Sequence, residues 1–311
     1  MTETPDWAWA CPQCRGMLAT DSPTRLLCPA CGTAYEQRDG IWHLMSAERV
    51  AFFETFLDEY TRIRRAEGRG GESSDYYRRL PQCDPSHPIA WQWRIRQKTY
   101  AMLSRRVLPG IASRAQGDSP LRILDLGAGV GWLSHRLTQA GYRMCAAELS
   151  LDPTDGLGAA RFFPDQWPRV RAEFDRVPLA NGSIDCVIFN ASVHYSSDYM
   201  VTLTEALRVI RPTGHLIVLE SPVYEREEAG RQMAEARHQQ FHRQFGTRSD
   251  ALDSREFLTW GMLDELADAL GLRWTVHRPW YGVKWALRPW RARLLRRREP
   301  SRFVILVGQR R

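Results

Sequence analysis

The alternation of apolar and polar positions divides the chain into a short front, a helical middle and a long series of strands and helices. From residue 121 onward, short apolar runs alternate with runs of helical period. Ile123-Leu124 leads into Asp125 and a glycine turn, after which Trp132, Leu133 and Leu137 share one side of a helix. Further strands are expected over 142–147, 170–174, 184–190, 215–220, 273–277 and 302–307. Helices are expected over 202–211, 226–243 and 254–270. Strands alternating with helices predict a doubly wound α/β sheet of seven strands. Before it, Val50, Phe53, Leu57 and Tyr60 recur at helical spacing over 47–65, and Gly68–Gly71 ends that run. A second helical run over 89–108 has Trp91, Ile95, Met102 and Leu103 for its buried side. The expected units are 7–45, 46–110 and 111–311.

Composition adds to this picture. With 311 residues and 43% hydrophobic content the chain can bury a large core, as one or two domains. No run of about twenty apolar residues is present, so no transmembrane span is expected. The first ten residues, MTETPDWAWA, lack a basic region followed by an apolar core, so no secretory signal is expected there. The net charge of +7 suits RNA, an anionic small substrate or an anionic membrane surface and does not choose among them. Of seven cysteines, four form two CxxC pairs, a pattern that fits a reducing cytoplasm and a metal site better than disulfides.

Those pairs are Cys11-Pro-Gln-Cys14 and Cys28-Pro-Ala-Cys31. Four thiolates so spaced can close a tetrahedral Zn2+ site, and the metal would supply folding energy that so small a unit lacks. Tyr35 and the run Asp39-Gly40-Ile41-Trp42-His43-Leu44 follow the second pair. This front resembles the short zinc-ribbon proteins that activate methyltransferases, and it is similar to the ribbon of bacterial ribosomal-RNA guanine methyltransferases. Cys31 takes the place of a late histidine ligand, which leaves His43 as a surface or packing residue.

The glycine turn carries the most specific chemistry. A dinucleotide turn of the form GxGxxG would need a third glycine at 132, where Trp132 stands. The spacing is instead D-x-G-x-G-x-G, with Asp125, Gly127, Gly129 and Gly131. An acid at the strand end suits a ligand with an ammonium group and hydroxyls and repels phosphate. The segment resembles motif I of the class I S-adenosylmethionine-dependent methyltransferases, a Rossmann-like fold. The resemblance implies that Asp125, Gly127, Ala128 and Gly129 meet the methionine part of the cofactor, with Asn190 behind it. Glu148 lies about twenty residues past the turn, where an acid reaches ribose hydroxyls. Glu173-Phe174-Asp175 matches the family's adenine-binding segment; which acid takes the amine is left open. His194, in the loop after the fourth strand, is the best-placed catalytic candidate, with Tyr195 and Glu220 weaker ones. Tyr60, Tyr76, Tyr77 and His87 are candidates for a substrate lid over the 46–110 segment.

The expected function is methylation of a small molecule at O, N or C, with a lipid or a secondary metabolite as the acceptor types considered. One alternative is ribosomal-RNA base methylation, using the ribbon and the basic segment Trp280–Arg298. That segment equally suits an anionic membrane surface, or a solvated basic helix whose tryptophans pack on the sheet. A second alternative is a non-catalytic scaffold that binds the cofactor. No N/D-P-P-Y run is present, and Cys186 lacks a preceding proline, so neither adenine-N6 transfer nor a covalent cytosine mechanism is supported.

Overall fold

The computed structural model describes residues 7–71, 73–114, 119–165 and 167–311. Most of the opening stretch read for a leader therefore lies outside the described residues. Four short strands come first: β1 (Ala19–Ser22), β2 (Arg25–Leu27), β3 (Ala34–Arg38) and β4 (Ile41–His43). Helices α1 (Ala47–Phe52), α2 (Glu54–Ala66), α3 (Ser74–Arg79) and α4 (Ala90–Met102) follow. A π-helical turn, Leu103–Val107, carries α4 into α5 (Leu108–Ala112). The alternating region runs β5 (Arg122–Leu126), α6 (Trp132–Gln139), β6 (Arg143–Glu148), β7 (Arg169–Arg171), β8 (Ile184–Asn190), α7 (Tyr199–Val209) and β9 (Ile210–Leu219). The remainder is β10 (Val223–Tyr224), α8 (Glu227–Phe245), β11 (Leu258–Thr259), α9 (Trp260–Leu270), β12 (Leu272–His277), α10 (Val283–Ala286), α11 (Arg288–Leu294) and β13 (Ile305–Arg310). Among the described residues no helix is long and apolar enough to cross a membrane.

The central strands lie in the order β7-β6-β5-β8-β9-β13-β12. The first five are parallel, and β13 runs antiparallel between β9 and β12. Strand side chains alternate between faces, and here both faces are covered. Leu124, Leu126, Phe189 and Val218 enter one apolar cluster, whereas Ile123, Ile188, Ile217 and Leu219 enter another on the opposite face. That double burial explains why the strands read as continuous apolar runs.

The sheet is nevertheless not seven-stranded: it has eleven strands among the described residues. The cysteine-bearing front continues it, because β4 pairs in parallel with β7, Ile41 facing Arg169 and His43 facing Arg171. Trp7, Trp9, Tyr35 and Leu44 bury into the same cluster as the central strands. Helix boundaries also differ from the periodicity. The expected helix over 47–65 breaks at Phe53, which caps α1 and turns its ring into a cavity. The expected helix over 254–270 is shortened because Leu258–Thr259 pairs with Val223–Tyr224.

Leu44 is fully buried where the front meets the central sheet. Leu44→Ala is expected to lower the stability of the whole chain by about 2–5 kcal/mol, read by denaturant unfolding. Loss confined to a separate early transition of the front would contradict a shared core.

Candidate active site

The site is built at the carboxyl ends of β5, β6 and β8, where the crossover at β5 opens a crevice. Gly127, Gly129 and Gly131 all have positive φ, the left-handed backbone that carries the chain sharply from β5 into α6. A Cβ on Gly127 would stand 2.4 Å from the Ser192 Cβ, whereas one on Gly129 would meet nothing within 4 Å. The turn is thus closed on one side by Ser192 and open on the other. Asp125 lies beneath it, fully buried, with one carboxylate oxygen accepting from the Ser134 hydroxyl at 2.9 Å. Its other oxygen is buried without a partner among the described residues. Burial pushes the Asp125 carboxyl up to about 7, against the Ser134 hydrogen bond.

Glu148 ties β6 to this turn. One carboxylate oxygen accepts the Gly129 N–H at 2.8 Å, and the other accepts those of Leu149 and Ser150 at 2.7 and 2.9 Å. Burial raises the Glu148 pKa despite those bonds. Gly127, Ala128, Gly129, Glu148, Glu173, Phe174, Asp175 and Asn190 all line one cavity. The two acids left open by the sequence differ in engagement. Glu173 is held from α1 by Arg49, whose Nε lies 2.9 Å from one of its oxygens. One oxygen of Asp175 accepts from the Thr202 hydroxyl at 2.5 Å, and burial raises its pKa.

A second cavity of about 370 Å³ adjoins the first, and Phe56, Tyr60, Ala191 and Tyr195 line both. Its size is that of a small-ligand pocket. Tyr195 stands at the junction, edge-on to Tyr60 at 5.7 Å. His194 also faces the second cavity, its Nδ1 3.2 Å from the Ser221 hydroxyl. Burial, reinforced by the Arg237 charge, lowers its pKa to about 3, so the imidazole is neutral at ordinary pH and a poor proton acceptor.

Glu220 is a weaker catalytic candidate in the sequence. It follows β9, lines the second cavity, and is buried with Arg96 Nε at 3.4 Å. Burial raises its pKa to about 7, with Arg96 acting against the shift. Its φ is +53°, and Ala191 beside it has φ +55°, bonded through its N–H to the Leu219 carbonyl at 2.9 Å. Non-glycine residues in left-handed backbone are sparsely populated and cluster at functional sites, and here two stand at adjacent strand ends. Periodicity carries no signal for either.

The lid residues separate into two roles. Tyr60 and Tyr76 line the first cavity. Tyr77 is instead fully buried, its hydroxyl donating to the Thr154 carbonyl at 2.7 Å, and His87 stacks on Tyr76 at 5.3 Å. Arg64 of α2 pairs with Asp155, tying α2 to the loop after β6. The glycines of that loop let it fold on itself: a Cβ on Gly156 would stand 2.6 Å from the Asp152 nitrogen.

The four cysteines Cys11, Cys14, Cys28 and Cys31 have their sulfurs within 4.8 Å of one another. Tetrahedral zinc with thiolate bonds of ordinary length needs sulfurs about 3.8 Å apart, so the set fits that ion. The Tyr35 hydroxyl lies 3.2 Å from Cys11 Sγ. His43 sits in β4 and is not among the clustered ligands.

The strand order and the crevice define a Rossmann-like α/β fold. Residues 124–218 match the family described as "Methyltransferase domain", and this segment holds all nine proposed cofactor residues with His194 and Tyr195. Malonyl-[acyl-carrier protein] O-methyltransferase of Hahella chejuensis is 32% identical over 149 residues, 45% of this chain and 53% of that protein. Demethylmenaquinone methyltransferase of Beutenbergia cavernae is 37% identical over 101 residues, 32% of this chain and 40% of that protein. The chain spans about half the length, or less, of the curated relatives it matches. A solved S-adenosylmethionine-dependent methyltransferase from Mesorhizobium loti overlays 65% of this chain and 96% of its own, with 20% identity and a TM-score of 0.46.

Proposed function

We propose that this chain is an S-adenosylmethionine-dependent methyltransferase whose small-molecule acceptor occupies the second cavity. The observation that carries the reading is the junction itself: a glycine-and-acid crevice adjoins, at Tyr195, a second pocket whose lining includes the buried Glu220. The residues present fit the cofactor. Gly129 leaves room for a ligand against the backbone, the unpartnered oxygen of Asp125 lies beneath the turn, and Glu148 ends β6 beside it. Of the two acids near the adenine position, Asp175 suits the amine better, because Glu173 is already held by Arg49. When bound, S-adenosylmethionine supplies a methyl group activated by its sulfonium. What remains for the chain is to align the acceptor and exclude water. Phe56 and Tyr60 of the lid cover the junction, and Tyr195 stands there with an aromatic edge.

An acceptor that carries a proton needs a group to take it. Glu220, with its pKa near neutrality and its place in the second cavity, fits that role better than His194. The name of the Beutenbergia relative points to a quinone acceptor, and the apolar part of this pocket's wall, including Ile63, Ile95 and Phe241, suits an apolar body. The four-cysteine cluster is assigned to structural zinc, which would brace the front against β7.

Three measurements test this reading. Methyl label from S-adenosylmethionine, incubated with cell extract, is expected in the lipid or small-molecule fraction; label in RNA that ribonuclease removes would overturn the small-molecule assignment. In that assay transfer should rise as Glu220 ionises through about pH 7, and Glu220→Gln should flatten that rise and slow transfer by about a hundredfold. Calorimetry of Glu148→Ala should show cofactor binding weakened about tenfold or more, with the fold retained by circular dichroism. Metal analysis should return about one zinc per chain; a folded, metal-free front would remove that assignment.

A further inference from the structure

The segment between β12 and β13 has two faces of opposite character. Its inner face packs on α4 and on Phe303, a residue of the second cavity. The Tyr281 hydroxyl lies 2.9 Å from the Thr99 hydroxyl, Lys98 Nζ donates to the Tyr281 carbonyl at 3.0 Å, and Trp285 packs on Phe303, a cavity residue, at 5.6 Å. This one tryptophan packs inward, as a solvated basic helix with buried tryptophans requires; Trp280 and Trp290 do not, being 65% and 64% exposed.

The outer face follows from spacing. Val283, Leu287, Trp290 and Leu294 are separated by four, three and four residues, one side of a helix, and α10 and α11 run on through Leu287. That row turns to solvent at 63%, 48%, 64% and 65% exposure. Around it, seven of the sixteen residues 283–298 are Lys or Arg, and none is acidic. An apolar row costs free energy in water, and a basic surround repels a second copy of itself. Valine and leucine offer no stacking face to a base, which argues against a nucleic-acid strand on this row. A row of Trp and Leu flanked by cations is the chemistry of a helix that lies in the headgroup layer of an anionic bilayer.

We propose that α10 and α11 dock the protein on anionic membrane surfaces, with Trp290, Leu287 and Leu294 entering the acyl boundary and Lys284, Arg291 and Arg293 meeting lipid phosphates. Trp285 ties the docked segment to Phe303 of the second cavity, so the bilayer would lie on the side of the molecule near that pocket. The inference does not rest on methyl transfer, because its test reads binding alone.

The full chain is sedimented with vesicles of neutral phosphatidylcholine and with vesicles containing about one third phosphatidylglycerol, enough to give the surface a negative potential. Pelleting with the anionic vesicles and not the neutral ones is expected. The double variant Trp290→Ser, Leu294→Ser should bind at least about tenfold more weakly while keeping its circular dichroism spectrum. The variant Arg291→Glu, Arg293→Glu should also release the protein. No pelleting with anionic vesicles, or equal pelleting by the serine variant, would overturn the proposal. So would a dimer in sedimentation velocity that the serine variant abolishes, since the row would then serve a second copy. Binding to single-stranded RNA without vesicle binding would overturn it in favour of nucleic acid.

Discussion

The site depends on a half-buried carboxylate that satisfies backbone rather than another charge. Glu148 accepts N–H groups from the glycine turn and from its own following residues, so β6, the turn and the next loop share one acceptor. A left-handed glycine turn has few ways to satisfy its amides internally, and a buried amide left open costs about 1–3 kcal/mol. The carboxylate settles the turn's shape and leaves the open side at Gly129 facing the cavity. Asp125, one strand over, has one oxygen held by Ser134 and the other without a protein partner. One acid therefore holds the turn while the other has capacity to spare, and the two occupy adjacent strand ends.

A second theme is how the front half of the chain closes that site. Three arginines from N-terminal segments each reach an acid on the central fold. Arg15 pairs with Glu205, Arg49 with Glu173 and Arg64 with Asp155. The pairs are part-buried, with Glu173 and Glu205 nearly enclosed. Removing one partner there leaves a charge with poor access to water, a much larger penalty than at an exposed pair. Arg15 also donates to the Asp175 carbonyl, which sets the cysteine-bearing front against the loop that carries the adenine-side acids.

Much of this was legible in the residues, for physical reasons. Strands β5, β6 and β8 bury both faces, so their apolar runs stand out, and the glycine turn is constrained at every second position. The acid at Glu148 could be placed because distance along the chain fixes where β6 ends. Less visible was everything decided by contact between distant segments. The pairing of β4 with β7 is a three-residue ladder, too short to leave a pattern, yet it makes one sheet from two units. Glu220 follows a strand that any reader would draw, but its burial against Arg96 is set by α4, more than a hundred residues earlier. Tyr77 has the look of a lid tyrosine, and only its bond to the Thr154 carbonyl shows that it braces a loop.

The parallel pairing of β4 also alters what the molecule offers to its neighbours. A central sheet ending at β7 would present the unpaired N–H and C=O groups of a short strand, an invitation to another chain's strand. Here that border is moved outward across four strands to β1, an exposed four-residue segment whose pairing with β2 shifts register between Thr20 and Ser22. An irregular ladder of that kind is a poor template for further growth. The cysteine-bearing front thus acts as a terminator for the sheet, guarding the chain against edge-to-edge association, quite apart from any part it plays in binding a metal.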